Sequence, residues 1–281
     1  MAPRRSEFIS DIPDAGLDDQ LGNPGLSSMR GGPDRAEHSD MERTTLWRLA
    51  APAAILSSIG QFVVAMLIPY WNDPDPVAGM GAILADTGFW TAIWLIHVAG
   101  IFLLVLTLAI ATRTFTSGAA HEWVQVGLPV IAIGGALGLA ETLTGASLSH
   151  VAESWAAAPA ADQSGYVAAY GAVGQAAIAM DFGAIICVAV YLPMLGAAIL
   201  VGRTYAHWIG WAFVVSGVMY FVGILGELAN PDVGMLNFFA QLVFTPALIG
   251  LGVSVWRLAG RLPAAETASA SVAVDVAASA G

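Results

Sequence analysis

His97, Glu141, Asp181 and Glu227 are ionisable side chains set in or beside long apolar stretches of a 281-residue chain. Such groups are costly in hydrocarbon. Where they occur they face a bundle interior or a water-filled cavity, and they mark ion, proton or substrate paths. At 1.5 Å per helical residue, His97 falls roughly 12 Å below one membrane boundary and Glu141 roughly 10 Å below the same one. Asp181 lies at a similar or greater depth, and Glu227 close to the surface. Gln61, Gln175, Asn237 and Gln241 fall in the same half, and the other half offers nothing comparable. An imidazole and two carboxyl groups at one level predict a protonatable pocket, with Glu141 and Asp181 acting together and His97 as their partner.

Helical spacing supports a shared pocket. Gly134, Gly138, Glu141 and Gly145 fall on one face by the 3.6-residue period. Small residues let a neighbouring helix come close, which turns Glu141 toward the bundle. Trp90, Trp94 and His97 align on another helix, Tyr170, Gly174 and Asp181 on a third, Tyr220, Gly223 and Glu227 on a fourth, and Asn237 and Gln241 on a fifth. The expected substrate-binding lining is Trp90, Trp94, Tyr170, Gln175, Tyr220, Glu227, Asn237 and Gln241. The pocket would open away from the arginine-bearing ends of the spans.

The elements that must position these groups are six apolar stretches: 46–68, 89–111, 124–148, 167–201, 209–228 and 235–256. About 20 apolar residues suffice to cross a bilayer core as a helix. The fold class is therefore all-α, a polytopic membrane protein with six transmembrane helices. A composition of 57% apolar and 11% charged residues is unlike that of a soluble domain.

All ten basic residues are arginines that fall on one side of these stretches. Arg4, Arg5, Arg30, Arg35, Arg43 and Arg48 precede or open the first. Arg113 separates the second from the third, Arg203 the fourth from the fifth, and Arg257 and Arg261 close the sixth. Basic residues stay cytoplasmic, so both termini are expected in the cytoplasm. Tyr70, Trp71, Trp90, Trp155, Tyr166 and Tyr170 would form an aromatic belt on the outer side, and Trp47, Trp123, Tyr205, Trp208, Trp211 and Trp256 one on the inner side. Residues 1–44 and 262–281 read as disordered cytoplasmic tails, since neither carries enough periodic apolar surface to fold alone. They flank a six-helix domain at 45–261. The first stretch starts too far in and runs too long for a cleaved signal. Of the outer connections, 69–88 holds the turn-forming run Asp73-Pro74-Asp75-Pro76, and 149–166 reads as a short interfacial helix around Trp155. An Arg-only, alanine-rich composition suggests a high-GC bacterium and its plasma membrane.

The net charge of −11 comes with outer acids, Asp73, Asp75, Asp86, Glu153, Asp162 and Asp232, that read as solvating loop residues. No basic stripe for nucleic acid exists. The single cysteine, Cys187, lies in an apolar stretch and reads as a small hydrophobe. A haem bundle needs facing histidines, and His97 is the only one within a span. Zinc sites need three or four ligands at recognisable spacing, which the chain lacks. It also lacks a GxSxG elbow and a GxxxxGK[ST] loop. No metal and no cofactor is expected. The bilayer is the expected partner, together with a small cation or lipophilic small molecule; nothing identifies a protein partner.

One hairpin carries a recognisable pattern: Tyr191-Leu192-Pro193-Met194-Leu195-Gly196, a turn at Gly202-Arg203, then Trp208-Ile209-Gly210-Trp211, Ser216-Gly217 and Tyr220. It resembles the bacterial membrane proteins grouped as domain-of-unknown-function family 4386, over two of the six helices. The departures are a long acidic N-terminal tail and a turn without proline before its glycine. The resemblance implies a six-helix fold and no particular activity. Three functions fit these residues: binding or transport of a proton, cation or small amphipathic molecule; a membrane-embedded cyclase or isomerase using a carboxylic acid as general acid; and a structural or regulatory subunit whose acids join helices.

Overall fold

The computed structural model describes residues 45–67, 75–230 and 235–260. The two expected tails lie outside these, as do Tyr70 and Trp71 of the expected outer belt. The described elements are α-helices: α1 (Ala50–Leu67), α2 (Pro76–Ala85), α3 (Thr87–Thr112), α4 (Gly118–Ala157), α5 (Gln163–Gly202), α6 (His207–Ala229) and α7 (Met235–Ala259). Six of them, all but α2, are long and apolar enough to cross a membrane. Large apolar side chains point outward along these helices, among them Leu95, Phe102, Val126, Leu143, Val201 and Leu225. A soluble protein does not leave so much apolar surface uncovered.

The six long helices pack as a ring in chain order. Each touches the next, and α7 closes on α1. Closure depends on small residues: a Cβ on Gly252 would lie 2.6 Å from the Ala50 carbonyl oxygen. Across from it, Ser57 donates to the Gly100 carbonyl at 2.9 Å and ties α1 to α3.

The end of the bundle bearing Arg48, Arg113, Arg203 and Arg257 is solidly filled. Tyr191, Leu192, Leu195, Ile199, Phe213 and Leu251 are all fully buried there. Its two connections are tied together, because the Thr114 and Tyr205 hydroxyls hydrogen-bond at 2.5 Å and the Tyr205 ring meets Phe115 edge-on. Burial pushes the Tyr205 phenol above its ordinary pKa, so it keeps its proton. Tyr205 is thus a buried tie and not the expected belt residue. Trp123, Trp208, Trp211 and Trp256 of that belt are exposed.

The opposite end departs from the sequence reading. The segment 149–166 is no separate helix. Instead α4 runs on to Ala157 and α5 begins at Gln163, giving two helices of 40 residues. At 1.5 Å per residue each is about 60 Å long, so the hairpin projects roughly 20 Å beyond its neighbours. The connection 69–88 also contains α2, which packs against α3, α4 and α5. Asp75 caps it by accepting from the Val77 amide at 2.9 Å, with Pro76 opening the helix. Asp86 caps α3 in the same way through the Phe89 amide. Two acids read as solvating loop residues are therefore helix caps.

Ring closure yields the first prediction. Gly252→Val should force α7 away from α1 and destabilise the protein by about 2 kcal/mol. A lowered midpoint of thermal unfolding in detergent measures this, and an unchanged midpoint would show that the ring does not depend on that contact.

Candidate functional site

A cavity of about 390 Å³ lies inside the ring, and every long helix contributes to its wall. His97, Glu141 and Asp181 all face it, as do Trp94, Tyr220, Asn237 and Gln241. His97, Glu141 and Asp181, which the sequence put at one level, thus share a single chamber with Asn237 and Gln241.

The acids arrive there through the glycine face of α4. A Cβ on Gly134 would lie 2.7 Å from that of Cys187, and one on Gly138 would meet Ile101. Such tight approach sets α4 against α5, the helix that carries Asp181. Glu141 is 3% exposed. One of its oxygens lies 3.2 Å from the Thr142 hydroxyl, which also donates to the Gly138 carbonyl at 2.6 Å. Asp181 is near enough to both Glu141 and Glu227 for like charges to repel. Among the described residues no group of three His, Cys, Asp or Glu side chains could hold a metal ion.

On α3 an aromatic column descends into the chamber. Trp90 meets Trp94 edge-on at 5.6 Å, and Trp94 stacks on His97 at 5.8 Å. Gly145 gives Trp94 its seat, since any larger residue would strike the indole. The His97 Nδ1 is buried without a hydrogen-bond partner. On the far wall Tyr220 donates to Gln241, whose amide reaches Thr245 at 3.4 Å. Asn237 donates to Glu227 at 3.2 Å and lies against Gly223. Glu227 is therefore one hydrogen bond removed from the chamber, at the end of α6.

Besides Glu227, three expected lining residues lie elsewhere. Trp90 and Tyr170 join Met80, Ile83, Leu148 and Ala152 in a separate apolar cluster. The Tyr170 hydroxyl sits against Gly79 of α2. Both residues fill the contact between α2 and the hairpin, so they neither line the chamber nor form the outer belt. Gln175 is exposed on α5, about a third of a turn away from the face of Tyr170, Gly174 and Asp181. The pocket consequently does not open through an aromatic mouth on the α3–α4–α5 side. Conversely, the wall includes Gln61, Ile101, Phe238 and Phe244, which the expected lining left out. Gln61 carried the only usable signal, a polar residue in the first span.

No protein-family model, curated protein or solved structure matches this chain.

Asp181 makes no hydrogen bond within the described residues, so Asp181→Asn removes an acid that repels Glu227 and breaks no hydrogen bond. The variant should fold and unfold within about 0.5 kcal/mol of the parent, or be more stable. Thermal unfolding checks this; a large loss would make Asp181 a structural residue.

Proposed function

We propose that this is an integral membrane protein, with both termini in the cytoplasm of a bacterium, whose central chamber binds or moves a proton, cation or small amphipathic molecule. The single observation that carries the reading is the meeting of Glu141 and Asp181 in a cavity walled by six apolar helices. Acids within spans are retained for ion, proton or substrate paths. The arginines Arg48, Arg113, Arg203 and Arg257 at one end of the bundle support the orientation. The plasma membrane and a relation to domain-of-unknown-function family 4386 belong to the same proposal, the second resting on the hairpin motif.

The chamber's polar sector leads toward Glu227 by way of Asn237. A charged species reaching Asp181 along this side passes carboxyl and amide groups and avoids the apolar cluster under α2. Glu141 and Asp181 then act as the exchange centre, with His97 of the adjoining helix α3 as their partner. A second reading, a membrane enzyme of the cyclase or isomerase type, draws on the near-complete burial of Glu141 close to aromatic rings. A carboxylic acid in a dry site can donate a proton to an apolar substrate, and ring faces stabilise a developing cation.

The test is proton flux in proteoliposomes, read with an internal pH dye after a pH jump. The parent should dissipate the gradient, and Asp181→Asn and Glu141→Gln should each slow it by about tenfold or more. Flux that ignores both substitutions would sink the exchange centre. Turnover of a lipophilic substrate in detergent, with no gradient present, would favour the enzyme instead.

A further inference from the structure

We propose that the chamber takes a small protonated amine with an apolar body, its N–H bonds directed at Glu141 and Asp181 and its body lying against Trp94, Tyr220, Phe238 and Phe244. This rests on the chamber being a ligand site, and it names the class of ligand.

The first argument is charge. No described arginine lines the cavity, and the chain has no lysine. The described arginines belong to the other end of the bundle, beyond the buried layer of Tyr191, Leu195 and Phe213. Glu141 and Asp181 thus have no arginine or lysine partner among the described residues of the wall, where His97 is the one basic side chain and makes no hydrogen bond to either, and Glu227 adds a third acid behind Asn237. A carboxylate held in a poorly solvating site is stabilised by a cation delivered to it. A carboxylate or phosphate ligand would instead meet repulsion.

Unmet hydrogen bonding supplies the second argument. Glu141 is 3% exposed and lines the chamber, and its one side-chain contact is a shared hydroxyl at 3.2 Å. No donor among the described residues reaches its other oxygen, and none reaches Asp181. Several donors nearby are spent, the Tyr220 hydroxyl on Gln241, the Asn237 amide on Glu227 and the Gln241 amide on Thr245, and neither the Gln61 amide nor the His97 imidazole, which also line the chamber, reaches either acid. The wall therefore asks for a ligand rich in N–H donors. An ammonium group brings up to three and no acceptor.

Shape and lining separate an amine from simpler cations. A hard metal ion takes six or more oxygen ligands, and among the described residues no group of three His, Cys, Asp or Glu side chains is placed to supply them. A bare proton needs no chamber of about 390 Å³. That volume falls in the range of small-molecule sites, and aromatic faces both shelter an apolar body and attract a cation.

Isothermal titration calorimetry of the full chain in lipid nanodiscs tests this, with phenethylammonium, phenethyl alcohol and phenylacetate as probes. Phenethylammonium should bind about tenfold or more tighter than the alcohol, the worth of a charged hydrogen bond, and phenylacetate should not bind. Asp181→Asn should erase the preference for the amine, while Phe238→Ala, which keeps both acids, should weaken amine and alcohol alike. Equal binding of amine and alcohol, indifferent to Asp181→Asn, overturns the amine but leaves the chamber an amphipathic site. Preference for phenylacetate also overturns it. If no probe binds, the amine proposal falls, and the proteoliposome assay decides the broader reading: flux that Asp181→Asn slows preserves it, and absence of flux removes it as well.

Discussion

Two carboxyl groups are held within an apolar ring whose described wall carries no arginine or lysine to balance them. In hydrocarbon or packed protein that arrangement would be severely penalised. What makes it tolerable is space: Glu141 and Asp181 face an internal volume and are not pressed into side chains. The ring must therefore be tight enough to exclude lipid and yet incompletely filled at one level. Closure at Gly252 and the glycine face of α4 provide the first condition. The second follows from a wall of mixed sizes, with Gly134, Gly135 and Gly138 opposite Phe238 and Phe244.

The two ends of the bundle are built differently. Toward the arginines, the interior is filled by large buried residues and crossed by the Thr114–Tyr205 tie. At the other end the filling is uneven. On the α3–α4–α5 side, α2 packs in an apolar cluster with Trp90, Trp94, Leu148, Ala152 and Tyr170. The α6–α7 side carries Glu227, Asn237 and Gln241 instead. This lateral asymmetry, more than depth alone, gives the chamber a polar wall and an apolar wall.

The spans were legible because a bilayer needs long apolar segments whatever the packing, and the helical period was enough to put His97, Glu141 and Asp181 on inward faces. Extent beyond the bilayer was not legible, because alanine-rich helix and interfacial loop look alike in composition. Hence 149–166 read as a separate element when it continues α4 and α5. The helix α2 did have a signal, since Asp75-Pro76 before an apolar run is a helix start, but the Asp-Pro repeat read more readily as a turn. Trp90 and Tyr170 were misplaced for another reason. Alignment on a helix face gives direction but not height, and both residues stand about a turn or more beyond the chamber, where α2 meets them. Gln175 shows the limit of matching by depth without matching by face.

The projecting hairpin has a mechanical consequence. Pro129 and Pro193 interrupt α4 and α5 about three turns from Glu141 and Asp181, in each case on the arginine side. Prolines are where long helices bend. From those points outward each helix is an unbroken rod that carries its acid and then continues into the stalk. A load on the stalk's tip therefore reaches Glu141 and Asp181 through continuous helix, with the first proline lying beyond them.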